Sequence, residues 1–129
     1  MAQQMVVRLN QLASPIRMTA NINAEQVQFL DLSIIGNGRL EYCLFTKPMD
    51  RKTLLHYQSA HPKTLKNSLP KAQFLRAIRN NLNPEVMEQQ LQMMTTKFLA
   101  RGFPHQILQN VLQKQEMHVQ VRRQSAPQD

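Results

Sequence analysis

Two apolar runs, VQFLDLSII and RLEYCLF, flank the tripeptide Gly36-Asn37-Gly38. Glycine tolerates the positive φ angles that a tight reversal needs, so a three-residue loop here turns the chain back on itself. Alternation puts Leu30, Leu32 and Ile34 on one face, with Leu40, Tyr42 and Leu44 able to pair across from them. Upstream, IRMTANI alternates Ile16, Met18, Ala20 and Ile22 with polar neighbours, and Asn23-Ala24-Glu25 reads as a turn. The pattern predicts a three-stranded antiparallel meander over about 15–46 with one apolar face that helices must cover. Asp31 interrupts the second run, and a carboxylate there points off the core face or caps a neighbouring turn.

On either side of the meander the period becomes helical. Residues 1–12 place Met5, Val6, Leu9 and Leu12 on one helix face, ended by Ser14-Pro15. After Lys47-Pro48, Asp50 is a candidate cap for a short helix RKTLLHYQSA, and Pro62 opens a brief turn, PKTLKNS. Pro70 starts the next helix, KAQFLRAIRNNL, with Phe74, Ile78 and Leu82 in one stripe. Asn83-Pro84 pairs an N-cap with a proline at the first helical position, and Glu85 and Glu88 suit the positive helix end. That helix aligns Met87, Leu91, Met94 and Phe98 and stops at Gly102. A last helix begins near Pro104, burying Ile107, Leu108, Val111 and Leu112. Three helices separated by short capped breaks are the pattern of a helix-turn-helix unit. The fold class expected is α+β: a short antiparallel β-meander or hairpin followed by a helical, helix-turn-helix-like bundle. The boundaries expected are 1–47 for the helix and meander, 48–121 for the helical domain, and 122–129 for a disordered tail.

Several kinds of chemistry find no support in the residues. Cys43 is the lone cysteine, so no intrachain disulfide forms and a reducing, intracellular setting is expected. His56 and His61 are five apart, while His105 and His118 are distant, and no zinc-ligand spacing results. No close carboxylate pair and no glycine-rich phosphate loop appears, so no catalytic residue, metal or cofactor is expected. There is no apolar run of membrane-spanning length and no signal peptide, which predicts a soluble chain without a membrane partner.

Charge supplies the positive evidence. The chain carries a formal +8 with a pI near 10.3. Between residues 47 and 79, eight basic side chains stand against Asp50 alone, a local charge of +7. They are Lys47, Arg51, Lys52, Lys63, Lys66, Lys71, Arg76 and Arg79. Phosphate backbones are met by such clusters, helped by helix N-termini and small polar groups. His56, Tyr57 and His61 are candidates to stack on bases or sugars or to hydrogen-bond phosphates, and Gln73 to reach a base edge. The alternative of a solvated basic face is disfavoured because the charge is concentrated in one third of the chain.

The order of motifs carries a specific likeness. Phe29-Leu30-Asp31, the glycine turn at 36–38, Lys47-Pro48, Asp50-Arg51, Leu55-His56-Tyr57, Ser59, His61-Pro62, Leu69-Pro70-Lys71, Gln73 and Arg76 occur in sequence. This series resembles the end of the palm and the thumb of Penelope-like retroelement reverse transcriptases. FLARGFP (98–104) is similar to the F-x-x-RGYP step before that family's last thumb helix, and the likeness covers about residues 7–115. It implies a primer-grip hairpin at 36–38 and 47–48, with 51–79 on the backbone of a template–primer duplex. The chain departs from the family in having neither the Y-x-D-D palm motif nor the GIY-YIG module, and in Thr46 and Met49 where arginine and threonine are usual. Without the palm carboxylates nothing holds the two metal ions of nucleotidyl transfer, so no polymerase activity is expected from this chain alone.

The expected function is therefore the binding of nucleic acid, an RNA–DNA hybrid or duplex DNA, mainly through its phosphates. An intracellular, nuclear location and a protein partner supplying a palm domain go with that expectation. The alternative is a domesticated helix-turn-helix-like module that recruits a protein through Met87, Met93, Met94 and Met117.

Overall fold

The computed structural model describes residues 1–36, 38–51 and 53–125. The chain divides into two compact units, residues 1–45 and 46–129. The first is helix α1 (Ala2–Leu12) followed by strands β1 (Gln26–Phe29), β2 (Leu32–Gly36) and β3 (Leu40–Leu44). The second holds helices α2 (Lys63–Arg79), α3 (Pro84–Ala100) and α4 (His105–Ser125). The molecule is thus α+β, an antiparallel sheet followed by a helical region.

In the first unit the sheet has the order β1-β2-β3, antiparallel throughout. The register pairs Leu32 with Leu44 and Ile34 with Tyr42, so these four share a face as expected, whereas Leu40 lies opposite Gly36 and is exposed, and Leu30 falls outside the strands. β2 ends at Gly36 and β3 begins at Leu40; Gly38, at φ 77°, supplies the left-handed residue of the reversal, while Asn37 lies outside the described residues. At the other end of β2 the expectation fails. VQFLDLSII is not one strand: Phe29 pairs with Leu32, and Leu30-Asp31 forms the two-residue turn between β1 and β2. Leu30 adopts φ 54°, a left-handed conformation costing a residue with a Cβ about 1–2 kcal/mol. Asp31 thus sits in a turn, where its carbonyl accepts the Phe45 amide at 2.7 Å.

The strand expected over 16–22 does not form either. A strand is stabilised by its ladder, and Met18 finds another partner. The Asn10 carboxamide donates to the Met18 carbonyl at 2.9 Å and accepts the Met18 amide at 2.6 Å. Asn23 builds the expected turn, its side-chain oxygen accepting the amide of Glu25 at 2.9 Å. Only Ser33 is buried among the described residues of this unit, and Ile22, Phe29, Leu30 and Leu40 are exposed.

The second unit has a true core. Phe74, Ala77, Phe98 and Leu108 are fully buried, with Phe103 nearly so. Leu54, Tyr57, Leu69, Leu91, Met94, Val111 and Leu112 pack around them. Each buried phenylalanine contributes about 2–3 kcal/mol of hydrophobic stabilisation. Phe98 meets Phe74 edge-on at 5.8 Å between centroids and Phe103 at 4.9 Å.

The helix ends follow from local chemistry. Asn81 donates to the Ala77 carbonyl at 2.7 Å where α2 finishes, and Asn83 accepts the Glu85 amide at 2.9 Å where α3 starts, with Pro84 at its first position. At the end of α3 the Phe103 amide reaches the Phe98 carbonyl at 3.2 Å and the Gly102 amide reaches Leu99 at 3.0 Å. Gly102 sits at φ 78° between them. These two bonds, with the Phe98–Phe103 ring contact, make a Schellman motif that satisfies carbonyls α3 would otherwise leave unpaired.

Three helical expectations are corrected. The helix expected over 51–60 is absent among the described residues 51 and 53–60, because the Tyr57 amide bonds to the Arg101 carbonyl at 2.9 Å instead of to its own preceding turn. The expected turn at 62–68 and the helix after Pro70 are one continuous helix, α2, with Pro70 inside it. An interior proline forfeits a hydrogen bond and crowds the preceding turn; burial of Pro70, Phe74 and Ala77 on one face offsets that cost. Finally, α4 runs through 122–125, which were expected in the tail; 126–129 lie outside the described residues.

Candidate nucleic-acid interface

The interface is built on two pieces of the second unit: the irregular strap before α2, and α2 itself. The strap opens with a turn in which the Asp50 amide donates to the Lys47 carbonyl at 3.0 Å. Lys47 and Arg51 are exposed, and Lys52 lies outside the described residues. The strap then docks on the α3–α4 turn. Besides the Tyr57–Arg101 bond, the Tyr57 ring lies 5.1 Å from Phe103, and the His56 imidazole borders the open side of Gly102.

At the start of α2 three candidate residues, Lys66, Tyr57 and His61, come together. The Lys66 ammonium donates to the Ser59 carbonyl at 2.9 Å and stands 5.3 Å from the Tyr57 ring centroid. The Tyr57 hydroxyl donates to Asn67 at 3.2 Å, while His61 Nδ1 lies 3.2 Å from the Ser59 hydroxyl. His56 turns its Nδ1 to the Gln58 amide at 3.2 Å. Tyr57 is half-buried, whereas His56 and His61 are exposed. The strap thus anchors the Tyr57 ring on the core and leaves the two imidazoles at the surface.

Along α2 the remaining candidates divide. Pro70, Phe74 and Ala77 define the buried face. Lys63, Lys71, Arg76 and Arg79 are exposed, and Gln73 is half-buried beside the core. Arg76 and Arg79 occupy the last turn, where cations also favour the helix carbonyl end. Sequence reasoning missed Arg101 and Gly102 as supports of the strap. FLARGFP carried the signal, since a glycine after an apolar helical stripe marks the turn on which another segment can pack.

α2 and α3 are joined by residues 80–83, and α3 and α4 by 101–104. Both α3 and α4 pack on α2, which gives the three-helix arrangement of a helix-turn-helix unit. Residues 53–113 match the family model of the animal helix-turn-helix domain. The chain therefore carries a helix-turn-helix region, and such a region points to nucleic-acid binding. Neither the curated proteins nor the solved structures yielded a match. Among the described residues no helix is long and apolar enough to cross a membrane, and no group of His, Cys, Asp and Glu is arranged to hold a metal.

Proposed function

We propose that this chain grips a template–primer duplex through its phosphate backbone, as a thumb of the Penelope-like reverse-transcriptase type that does not polymerise by itself. The observation that carries the reading is the exposure of Lys47, Arg51, Lys63, Lys71, Arg76 and Arg79 in a segment with a local charge of +7. Backbone contacts of this kind are largely indifferent to sequence and weaken steeply as salt displaces them. The strap contributes the Tyr57, His56 and His61 rings beside the basic helix, where sugars and bases pass. A palm domain on another chain covers the exposed Ile22, Phe29, Leu30 and Leu40 of the first unit. The site of action is the nucleus.

Fluorescence anisotropy of a labelled RNA–DNA hybrid, titrated with the full chain at several salt concentrations, tests the reading. Micromolar or tighter binding with a steep salt dependence is expected. Loss of binding is expected when Arg51, Lys52, Arg76 and Arg79 are neutralised together while circular dichroism keeps its helical signal. No binding at low salt defeats the proposal. A second reading, a protein-recruiting module, draws on the exposure of Met93 and Met117 on α3 and α4. Under it, Met93→Glu abolishes partner capture and the four-residue basic variant does not.

A further inference from the structure

A groove of about 290 Å³ lies among the end of α2, the first half of α3 and the outer part of α4. Met87, Leu91, Leu112 and Val119 supply its apolar lining. Among the described residues its charged lining is acidic: Glu85 and Glu88 from α3 and Glu116 from α4. This inverts the character of the strap and α2, whose charged side chains are almost all basic.

Gln115 also lines the groove, and it shows an anomaly that the acidic cluster alone would not. It is only 4% exposed, and its side-chain oxygen is buried without a hydrogen-bond partner. A buried carbonyl without a donor costs about 1–3 kcal/mol, and such groups in a folded protein call for a specific cause. Here the unmet acceptor belongs to a residue on the wall of a groove rimmed by three further acceptors. The wall asks for donors and for positive charge.

We propose that the groove receives an arginine side chain presented by a partner polypeptide. A guanidinium carries five N–H donors and no acceptor, which complements a set consisting of an amide oxygen and carboxylates. The aliphatic stem of arginine lies along methionine, leucine and valine side chains while the head meets the acids. Lysine is the poorer occupant, because its compact ammonium is more strongly hydrated and lacks the planar fork that pairs with carboxylates. The volume is at the small end of ligand pockets, which run from about 300 Å³ upward, and suits one long side chain better than a cofactor.

The test uses the isotope-labelled full chain and three peptides of the form acetyl-Gly-Xaa-Gly-amide, with arginine, lysine or norleucine at the centre. The arginine peptide is expected to shift the amide resonances of Met87, Glu88, Leu112 and Gln115, and the side-chain NH₂ of Gln115. The lysine and norleucine peptides are expected to bind at least about tenfold more weakly, a difference of about 1.4 kcal/mol. Gln115→Met keeps the length of the side chain but removes the acceptor, and should weaken arginine binding severalfold. The double variant Glu88→Gln/Glu116→Gln alters exposed positions, so it folds normally, and it should weaken binding as well. Equal shifts from all three peptides, no shifts with arginine, or undiminished binding in the double variant each overturn the proposal.

Discussion

The backbone amide of Tyr57 donates to the Arg101 carbonyl at 2.9 Å, which ties the strap before α2 to the turn between α3 and α4. From that bond a line of rings runs inward, Tyr57 to Phe103 to Phe98 to Phe74, each against the next at 4.9–5.8 Å. The candidate interface thus rests on the same rings that make the core.

Tyr57→Ala should cost about 2–3 kcal/mol in urea unfolding, the lower range for an aromatic truncation because Tyr57 is half-buried. Tyr57→Phe, which gives up the 3.2 Å bond to Asn67 alone, should cost under about 1 kcal/mol. Equal losses for the two variants would mean that the hydroxyl, and not the ring, holds the strap.

Gly102→Ala places a Cβ at φ 78°, 3.3 Å from the His56 ring carbon. The left-handed conformation alone costs about 1–2 kcal/mol, and the His56 contact adds to it by displacing the strap. Thermal melts should show the loss, and the His56 ring resonances should move with it. An unshifted His56 signal would separate the glycine from the strap.

Asn83→Ala removes the N-cap of α3 and should destabilise the second unit by about 1 kcal/mol, whereas Asn83→Ser should retain most of the stability. Denaturant midpoints of the three proteins check the order.

For nucleic-acid binding, replacing Lys71, Arg76 and Arg79 by alanine should flatten the slope of log K against log salt by about 0.9 for every phosphate that is no longer neutralised. Lys66→Met should behave differently. Its ammonium is engaged with Ser59 and Tyr57, so the loss should appear first as about 0.5–1 kcal/mol of stability. A change in slope from Lys66→Met equal to that from Arg79→Ala would group Lys66 with the exposed basic residues.

Much of the second unit was legible residue by residue. Asn83-Pro84 and Gly102 marked both ends of α3 because capping is local chemistry, and the stripe from Met87 to Phe98 followed from helical spacing alone. The strap was not legible, since the amide of Tyr57 is claimed by a carbonyl more than forty residues away. Nor was the break at Leu30-Asp31, where a leucine occupies a conformation that glycine or asparagine usually signals. The basic residues were visible as a charge density from composition. Their division into exposed side chains and an inward-turned Lys66 required the helix face that Pro70, Phe74 and Ala77 set.

Pro70 also divides the time behaviour of α2. It has no N–H to return to the Lys66 carbonyl, so the hydrogen-bond ladder of the helix is missing a rung midway along its length. Local opening follows such weak rungs, and the turns on either side need not open together. Amides after the proline, backed by Phe74 and Ala77, should exchange with solvent deuterium at the rate of global unfolding. Those in the first turns, which carry Lys63 and Lys66, should exchange sooner. On the proposed duplex-gripping reading, the end of α2 nearest the strap would then adjust its footing while the distal end keeps its place.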